Sequence, residues 1–219
     1  EIAAIIKDGI QKMYVENKNY FYYITTMNEN YEQPEMPEGS EEGIIKGLYK
    51  FKSCNNPQVR LVGSGSILRE SIKAAKLLQN YGIDSEVWSA TSFNLLRKEG
   101  MEVERENQLN PTLEQKTSYV SECFNDSDIP IIATTDYMRS YAEQIRPYIT
   151  SQYTVLGTDG FGRSDSREKL REFFEIDSSS ITRAAAYSLF KENKIDKVML
   201  EKIYNDMNID ASKPNPWEV

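Results

Sequence analysis

The stretch that decides the fold of this chain is YTVLGTDGFGRSDSREKLREFFE, from Tyr153 to Glu175. It opens with alternating β-forming residues and is then interrupted by closely spaced glycines. After the glycines, Leu170, Phe173 and Phe174 share one face of a helical pattern. The stretch therefore predicts a strand, a tight turn and a helix.

The turn and the start of the helix carry their own local signals. Gly157, Gly160 and Gly162 are expected to supply the positive φ angles that a tight turn requires. Asp165 is expected to cap the helix, and Glu168, three residues later, would complete a capping box. These signals predict that the loop is fixed at its helical end.

The same order of strand, Gly or Asp, and helix recurs twice upstream, from Val59 to Tyr81 and from Ile129 to Ile149. Ile83 to Ala90 adds a further strand. Alternation of strands and helices predicts an α/β fold with a mostly parallel sheet flanked by helices. The loops that follow the strands then lie along one edge, where open α/β sheets bind ligands.

The remaining segments are predicted from periodicity and from their Pro and Gly content. In chain order they are a helix at Ile2–Tyr14, a strand at Tyr20–Thr26, an irregular Pro-rich segment at 27–43, a short strand at Gly43–Phe51, a short helix at Phe93–Lys98, a charged irregular loop at Glu99–Pro111, a helix at Leu113–Phe124, and helices from Ser178 onward. The Pro-rich segment is predicted to contain a domain boundary.

Composition excludes several classes of chemistry. The 219 residues contain no histidine, which removes the commonest general base, the Ser-His-Asp and Cys-His arrangements and every His-containing metal site. A net charge of −8 argues against a general nucleic-acid surface. Cys54 and Cys123 are far apart in sequence, which argues against a metal cluster or redox pair and fits a reducing cytoplasm. No run is long and apolar enough for a membrane span.

Three polar groups at predicted strand ends are candidates for chemistry. The turn Gly63–Ser66 could place backbone N–H groups on an anion at a helix N-terminus, although it lacks the lysine of a phosphate loop. The alternative is a close-packed turn with Ser66 as the helix cap. Asp136 and Asp159 could act as acid, base or ligand. They could instead cap turns or pair with a nearby arginine, for which Arg139, Arg146, Arg163 and Arg167 are all available. The structural role is favoured for all three.

A fourth candidate follows the first predicted strand. The polar segment Asn28–Tyr31 could line a site or an interface, and Glu29 could transfer a proton. A single glutamate without a partner is weak support for that role. The solvated face of the linker is predicted to consist of Glu35, Glu38, Glu41 and Glu42.

The chain starts at Glu1 without Met and enters an amphipathic helical pattern directly. Such a start is typical of a piece of a longer protein, with a processed N-terminus as the alternative. A helix and a strand separated from their own sheet expose apolar surface. Residues 1–26 are therefore expected to pack on the main domain or on a second copy of the chain.

Four blocks carry a resemblance that goes beyond their spacing. They are YYITTMNENYEQPEMPEG (Tyr22–Gly39), VRLVGSGSILRE (Val59–Glu70), TTDYMRSYAEQIRPYI (Thr134–Ile149) and LGTDGFGRSDSREKLREFFEID (Leu156–Asp177). In this order they resemble the C-terminal part of the homodimeric-type pyruvate dehydrogenases, the thiamine-diphosphate-dependent first component of the bacterial pyruvate dehydrogenase complex. The blocks span nearly the whole chain.

The resemblance implies an enzyme that decarboxylates pyruvate on thiamine diphosphate with Mg²⁺ and transfers the acetyl group to the lipoyl group of an acetyltransferase component. It implies a transketolase-like C-terminal domain at residues 40–219, preceded at residues 1–39 by a linker and the end of the pyrimidine-binding middle domain. The family's catalytic glutamate, its histidines around pyruvate and its Mg²⁺ motif belong upstream. No catalytic, cofactor-binding or metal-binding residue is therefore assigned to this chain.

The implied partners are a second copy of the subunit and the dihydrolipoyl acetyltransferase component, in the cytoplasm, with neither nucleic acid nor membrane. This chain alone is expected to support the dimer, to be inactive and to bind no cofactor. Glu106 and Asn110 depart from the family, which has an aromatic residue and a histidine there, and this puts in doubt any surface role of that loop.

Two other functions remain open. One is an independent regulatory module that binds a small anion at the strand ends. The other is the C-terminal domain of a different transketolase-like 2-oxo acid dehydrogenase.

Overall fold

The computed structural model describes residues 1–218, which form a five-stranded sheet covered by helices. The strands are β1 (Leu48–Lys52), β2 (Val59–Ser64), β3 (Ser85–Ala90), β4 (Ile131–Thr134) and β5 (Tyr153–Leu156). Their order in space is β1-β3-β2-β4-β5, with β2 to β5 parallel and β1 antiparallel to β3. The prediction of a mostly parallel α/β sheet is confirmed.

Helices pack on both faces of the sheet. They are α1 (Ile2–Ile10), α2 (Glu41–Lys46), α3 (Leu68–Gln79), α4 (Phe93–Leu109), α5 (Tyr119–Phe124), α6 (Arg139–Glu143), α7 (Arg167–Phe173), α8 (Ser178–Lys191) and α9 (Lys197–Asp206), with short 3-10 turns at Gly65–Ile67, Arg146–Tyr148 and Pro216–Glu218 and a π turn at Gln11–Val15. The core that contains Val62 includes α4, α5 and α6, whereas the core that contains Leu61 includes α3, α8 and α9. The side chains of successive strand residues therefore point into opposite cores, because side chains alternate between the two faces of a sheet.

No helix within residues 1–218 has both the length and the apolar character needed to cross a membrane.

The strand order reverses between β2 and β4. From β2 the chain passes through α3 to β3, then returns past β2 to β4 and continues through α6 to β5. The helices α3 and α6 lie on opposite faces of the sheet. The carboxyl ends of β2 and β4 therefore flank a topological switch point, where open α/β sheets form their ligand crevice.

The N-terminal helix α1 packs on the main domain through one side only. Ala4 lies in a buried cluster with Tyr49, whose Oη donates to Glu1 Oε1 at 2.8 Å. Ile10 remains 51% exposed. The expected packing of residues 1–26 on the main domain is therefore observed for one side of α1 and not for the segment as a whole.

Tyr20–Thr26 is not a strand, so this prediction is wrong. The segment pairs with no strand in the described part of the chain, and Phe21 and Tyr23 are 88% and 87% exposed. β-forming side chains favour a strand only where a neighbouring backbone and a packed face are available. Tyr22 is nevertheless anchored, because its Oη donates to Asp8 Oδ2 at 2.6 Å.

The helix α4 is longer than expected, so the predicted short helix and the irregular loop at Glu99–Pro111 are wrong. Gly100 fits inside this helix because the ring of Tyr148 packs against it, and a Cβ there would lie 2.4 Å from Tyr148 Cζ. The helix predicted at Leu113–Phe124 begins only at Tyr119.

Two further boundaries differ from the predictions. The segment Gly43–Phe51 is divided between α2 and β1. Glu41 and Glu42, predicted as linker, lie in the first turn of α2, where carboxylates interact favourably with the helix dipole. The helical stretch that ends at Ile149 is split by the 3-10 turn that contains Pro147, a residue without a backbone N–H donor.

The helix α7 is capped by Ser166 and not by Asp165. The Oγ of Ser166 accepts a hydrogen bond from the backbone N–H of Lys169, while Asp165 Oδ1 accepts from the N–H of Ser166 at 2.6 Å. The prediction of a capping box between Asp165 and Glu168 is therefore wrong, because the cap is Ser166, one residue later in the chain than expected.

Candidate functional site

The strand-end edge is the carboxyl end of β2, β4 and β5 with the turns Ser64–Ser66, Thr135–Asp136 and Gly157–Asp159 that follow these strands. In the first turn, a Cβ on Gly63 would lie 2.5 Å from the Cα of Leu68, so only glycine allows α3 to pack this closely on β2. Gly65 has a φ of +56°. These two glycines favour the close-packed-turn interpretation of Gly63–Ser66.

Ser66 does not cap α3, contrary to expectation. The residue lies inside the 3-10 turn Gly65–Ile67, its side chain makes no capping hydrogen bond, and Ile67 occupies the cap position. Ser66 is instead buried, and its Oγ has no hydrogen-bond partner within residues 1–218.

Two more buried hydroxyls without partners lie beside Gly63. Thr134 is the residue that pairs with Gly63 across β2 and β4. Ser71 Oγ lies 2.8 Å from the position that a Cβ on Gly63 would take. Both side chains are fully buried, and neither hydroxyl forms a hydrogen bond to the described residues. Unpaired buried polar atoms are rare in native proteins, so the switch point carries unsatisfied polar groups.

Asp136 lies half-buried at the carboxyl end of β4. Burial raises the pKa of this carboxyl, because loss of water disfavours the charged form, while its own backbone N–H and the positive charge of Arg171 act in the opposite direction. The hydroxyl of Ser66 is close by but does not meet hydrogen-bond geometry.

Asp159 has the structural role that the sequence favours. Its Oδ1 accepts from the backbone N–H of Arg139 at 3.0 Å, and its Oδ2 lies 3.4 Å from Arg139 Nε. It thus caps the start of α6 from a neighbouring turn. Gly160 has a positive φ of +83°, as expected, whereas Gly157 and Gly162 do not have positive φ angles.

Glu29 lies against three arginines, which we call the arginine clamp: Arg69, Arg167 and Arg171. Arg171 Nη2 lies 3.3 Å from Glu29 Oε2, Arg167 Nη1 lies 3.8 Å from the same oxygen, and Arg69 Nη1 lies 3.8 Å from Oε1. The Glu29 side chain keeps 24% of its surface exposed. Its carboxylate is therefore held by charge and still accessible.

The neighbours of Glu29 also contact the clamp. Arg167 Nη2 donates to Asn28 Oδ1, and the guanidinium of Arg69 lies 4.4 Å from the ring centroid of Tyr31. The polar segment Asn28–Tyr31 therefore lies on the main domain, consistent with the prediction that it lines a site or an interface.

The sequence offers one weak signal for the arginine clamp. Arg167 and Arg171 are four residues apart, and this spacing places two positive charges on the same face of α7. Nothing in the local sequence pairs them with Glu29, which lies more than a hundred residues upstream. The clamp depends on tertiary contacts.

Other potential sites add little. Among residues 1–218, no group of three or more Cys, Asp or Glu side chains has the arrangement of a metal site, and both cysteines are free. A shallow groove of about 290 Å³ beside Tyr148 lies away from the strand-end edge. The strand-end edge and the arginine clamp are therefore the candidate site.

Comparison with protein families identifies the fold. Residues 47–177 match the family model described as the transketolase-like TK C-terminal domain. The chain belongs to this family. Residues 1–34 match a second model, the pyruvate dehydrogenase E1 component middle domain. The two matches place Glu29 and its three arginines in regions that belong to different family models.

Curated relatives carry one name, the pyruvate dehydrogenase E1 component. The chain is 47% identical to that of Cupriavidus necator and 51% identical to that of Pseudomonas aeruginosa, in both cases over 100% of this chain. It is 48% identical to that of Escherichia coli K12 over 99% of this chain. The chain spans about a quarter of the length of these relatives, since each alignment covers 25% of the longer protein.

Solved transketolases share the fold. The enzyme of Pichia stipitis aligns with a TM-score of 0.52 at 18% identity, over 74% of this chain and 21% of that one. The enzyme of Leishmania mexicana aligns with a TM-score of 0.50 at 20% identity, over 70% of this chain and 19% of that one. At this identity the likeness shows the fold alone.

Proposed function

We propose that this chain works as the C-terminal part of a homodimeric-type pyruvate dehydrogenase, which decarboxylates pyruvate on thiamine diphosphate and acetylates the lipoyl group of an acetyltransferase component. The observation that carries the proposal is the succession of two family matches in one chain, a middle domain and then a transketolase-like C-terminal domain. Two relatives named pyruvate dehydrogenase E1 component are 47% and 51% identical to this chain over its whole length.

The proposed domain boundary lies near residue 39. Residues 1–39 would be the end of the middle domain with its linker, and residues 40–219 the C-terminal domain. The two family matches leave the gap 35–46 between them, and Pro34, Pro37 and Gly39 lie in or beside this gap. Helix α2 lies within this gap, and the sheet begins after it, at Leu48.

The role proposed for this part is to support the assembly without supplying a catalytic residue. The enzyme's cofactors would be thiamine diphosphate and Mg²⁺. The described residues do not fit the metal, because no cluster of three or more acidic or thiol side chains is found among them. We therefore propose that the metal ligands lie in the remainder of the enzyme, and we derive no chemical step through either cofactor.

The proposed partners are a second copy of the subunit and the dihydrolipoyl acetyltransferase component, and the proposed location is the cytoplasm. Exposed apolar side chains in the N-terminal part support a covered surface in the assembly, among them Ile6, Ile10, Phe21 and Tyr23.

One observation argues against the anion-binding alternative. Anion binding at Gly63–Ser66 is disfavoured because the half-buried carboxyl of Asp136 lies beside Ser66 and would repel an anion when ionised. The other alternative, a dehydrogenase that acts on a different 2-oxo acid, is tested by assaying the full-length enzyme with several 2-oxo acids.

The proposal is tested by pyruvate-dependent reduction of an artificial electron acceptor, with thiamine diphosphate and Mg²⁺ present. This chain and the full-length enzyme that contains it are compared, and other 2-oxo acids serve as competing substrates. Activity with pyruvate in the longer protein only is the expected result. Activity in this chain alone, or a clear preference of the longer protein for another 2-oxo acid, would overturn the proposal.

A further inference from the structure

Arg171 joins two carboxylates that come from distant parts of the chain. Its Nη2 lies 3.3 Å from Glu29 Oε2, and its Nη1 lies 3.9 Å from Glu70 Oε1. Glu29 belongs to the region matched by the middle-domain model, whereas Arg171 and Glu70 belong to the region matched by the C-terminal-domain model. A single guanidinium therefore bridges the two matched regions.

The Glu70 side of this bridge is fixed. Glu70 is only 4% exposed, and its Oε2 accepts from the backbone N–H of Ser178 at the start of α8 at 3.1 Å. Its Oε1 also accepts from Lys73 Nζ at 2.8 Å. Because Glu70 is held by two helices, it sets the orientation of the Arg171 guanidinium.

On the other side of the bridge, the segment that carries Glu29 depends on the arginine clamp for its position. The polar segment Asn28–Tyr31 has no helix or strand of its own, and the preceding residues Phe21 and Tyr23 are almost fully exposed. Without the arginine clamp, this part of the segment would lose its charged contacts to the main domain. Arg171 is the most buried of the three arginines, at 12% exposure, against 31% for Arg69 and 36% for Arg167.

We propose that Arg171 is a positioning residue, which holds Glu29 and the segment Asn28–Tyr31 in place at the strand-end edge. The planar guanidinium can point separate nitrogens at two carboxylates, which the single ammonium of lysine cannot do. The segment lies where α/β sheets gather their ligands. Because the segment lies near the end of the region matched by the middle-domain model, its displacement would shift the middle domain against the C-terminal domain and so slow catalysis by the full-length enzyme. This last step rests on the proposed function.

The test uses Arg171→Met and Arg171→Lys, with Arg183→Met as the matched control. Arg183 forms a comparable ion pair with Glu175, at 2.7 Å with both side chains 25% exposed, but lies away from Glu29. The rate of cleavage after Glu29 by a glutamate-specific protease is measured on this chain, and kcat and KM for pyruvate are measured on the full-length enzyme. Both Arg171 variants are expected to speed this cleavage and to lower kcat by about tenfold, with a smaller change in KM. Arg183→Met is expected to do neither.

A double-mutant cycle with Glu29→Gln tests whether Arg171 acts through Glu29. If it does, Glu29→Gln combined with Arg171→Met loses no more kcat than one of the single variants. Additive losses would overturn the proposal, as would an unchanged rate of cleavage after Glu29 in Arg171→Met. Wild-type behaviour of Arg171→Lys would overturn the bridging geometry, and this variant also serves if Arg171→Met does not fold. If the unmodified full-length protein has no activity with pyruvate, the proposed function fails, and the proteolysis experiment still decides whether Arg171 holds the segment.

Discussion

Arg60, at the amino end of β2, is a buried polar group with every side-chain nitrogen paired, whereas several buried hydroxyls at the carboxyl ends of the strands have no partner within residues 1–218. Arg60, on β2, is 1% exposed. Its Nε donates to Glu86 Oε2 at 3.1 Å, its Nη1 to the carbonyl oxygen of Phe124 at 2.7 Å, and its Nη2 to Asp126 and to Ser127 Oγ. Each nitrogen of the guanidinium therefore has a partner.

The opposite end of the same sheet contains Ser66, Ser71 and Thr134, whose buried hydroxyls have no partner in residues 1–218. It also contains Asp136, whose pKa is raised by burial. Both ends are built from the same parallel strands, so the sheet itself does not require the difference. Unsatisfied polar groups and perturbed carboxyls cost stability and are concentrated at functional sites. We therefore expect Arg60 to contribute more to the stability of the fold than the polar groups at the carboxyl ends do.

The largest effect is expected from Arg60→Met at the amino ends. Removing the guanidinium leaves the buried carboxylate of Glu86 with Lys50 as its cationic partner, so the free energy of unfolding should fall by about 3 to 5 kcal/mol. Lys50→Met removes the other cation from the same carboxylate. The Lys50 side chain is 38% exposed, so a loss of less than about 1 kcal/mol is expected.

Urea unfolding of the two variants measures this difference. A loss in Lys50→Met as large as that in Arg60→Met would contradict the view that burial of Arg60 decides the effect. Arg60→Met combined with Glu86→Leu should recover most of the loss, since the unpaired charge is then removed as well.

Much of the sheet was predictable from the sequence, because its strands are short β-forming runs bounded by glycine or polar residues. The runs Val59–Val62 and Ile83–Ala90 were identified in this way and correspond to β2 and β3, and their parallel arrangement follows from the helix between them. Tyr20–Thr26 shows the limit of this reasoning. Its residues favour a strand as strongly as any in the chain, but a strand needs a neighbouring backbone, and the described residues provide none there.

The candidate site was predictable only in part. The turns after the strands and Asp136 were found because strand ends can be located from local patterns. The arginine clamp was not found, because Glu29, Arg69 and Arg171 are brought together only by packing of the folded chain. The unpaired hydroxyl of Ser71 was also missed, since a serine on a helix gives no sign in sequence that it will be buried without a partner.

A smaller effect, with the opposite sign, is expected from Asp136→Asn at the carboxyl ends. Burial raises the pKa of Asp136 above its ordinary value of 3.8, so the folded protein binds the proton more tightly than the unfolded chain does. The charged carboxylate therefore lowers stability at neutral pH, and this penalty disappears as the pH falls through the folded-state pKa towards 3.8. Asn should stabilise the protein at pH 7 by on the order of 1 kcal/mol, the scale of a poorly paired buried polar group.

Thermal unfolding between pH 4 and pH 8 measures the effect of Asp136→Asn. The gain over the wild type should be largest at neutral pH and should shrink towards pH 4. Asp159→Asn is the control, and it should lower stability at neutral pH because it weakens the contacts to Arg139. A destabilised Asp136→Asn at pH 7 would mean that the carboxylate is well paired and that the two ends of the sheet are alike in this respect.

The smallest effect is expected from Ser71→Ala. The Ser71 hydroxyl is buried without a partner in the described chain, so alanine removes an unsatisfied group and leaves only a small gap. The free energy of unfolding should stay within about 0.5 kcal/mol of the wild type or rise slightly. Ser118→Ala is the matched control, because Ser118 is also buried, but its Oγ accepts from the N–H of Ser121 and caps α5. That variant should lose about 1 kcal/mol.

Thermal unfolding of the two serine variants side by side makes the comparison direct, since both remove one buried hydroxyl from one helix. If Ser71→Ala loses as much stability as Ser118→Ala, then the Ser71 hydroxyl has a partner in solution, such as an ordered water. The Ser71 hydroxyl would then be satisfied, as the Arg60 guanidinium is, and the contrast between these two buried groups would disappear. A neutral or stabilising result leaves the contrast in place and shows that Ser71 does not contribute its hydroxyl to stability.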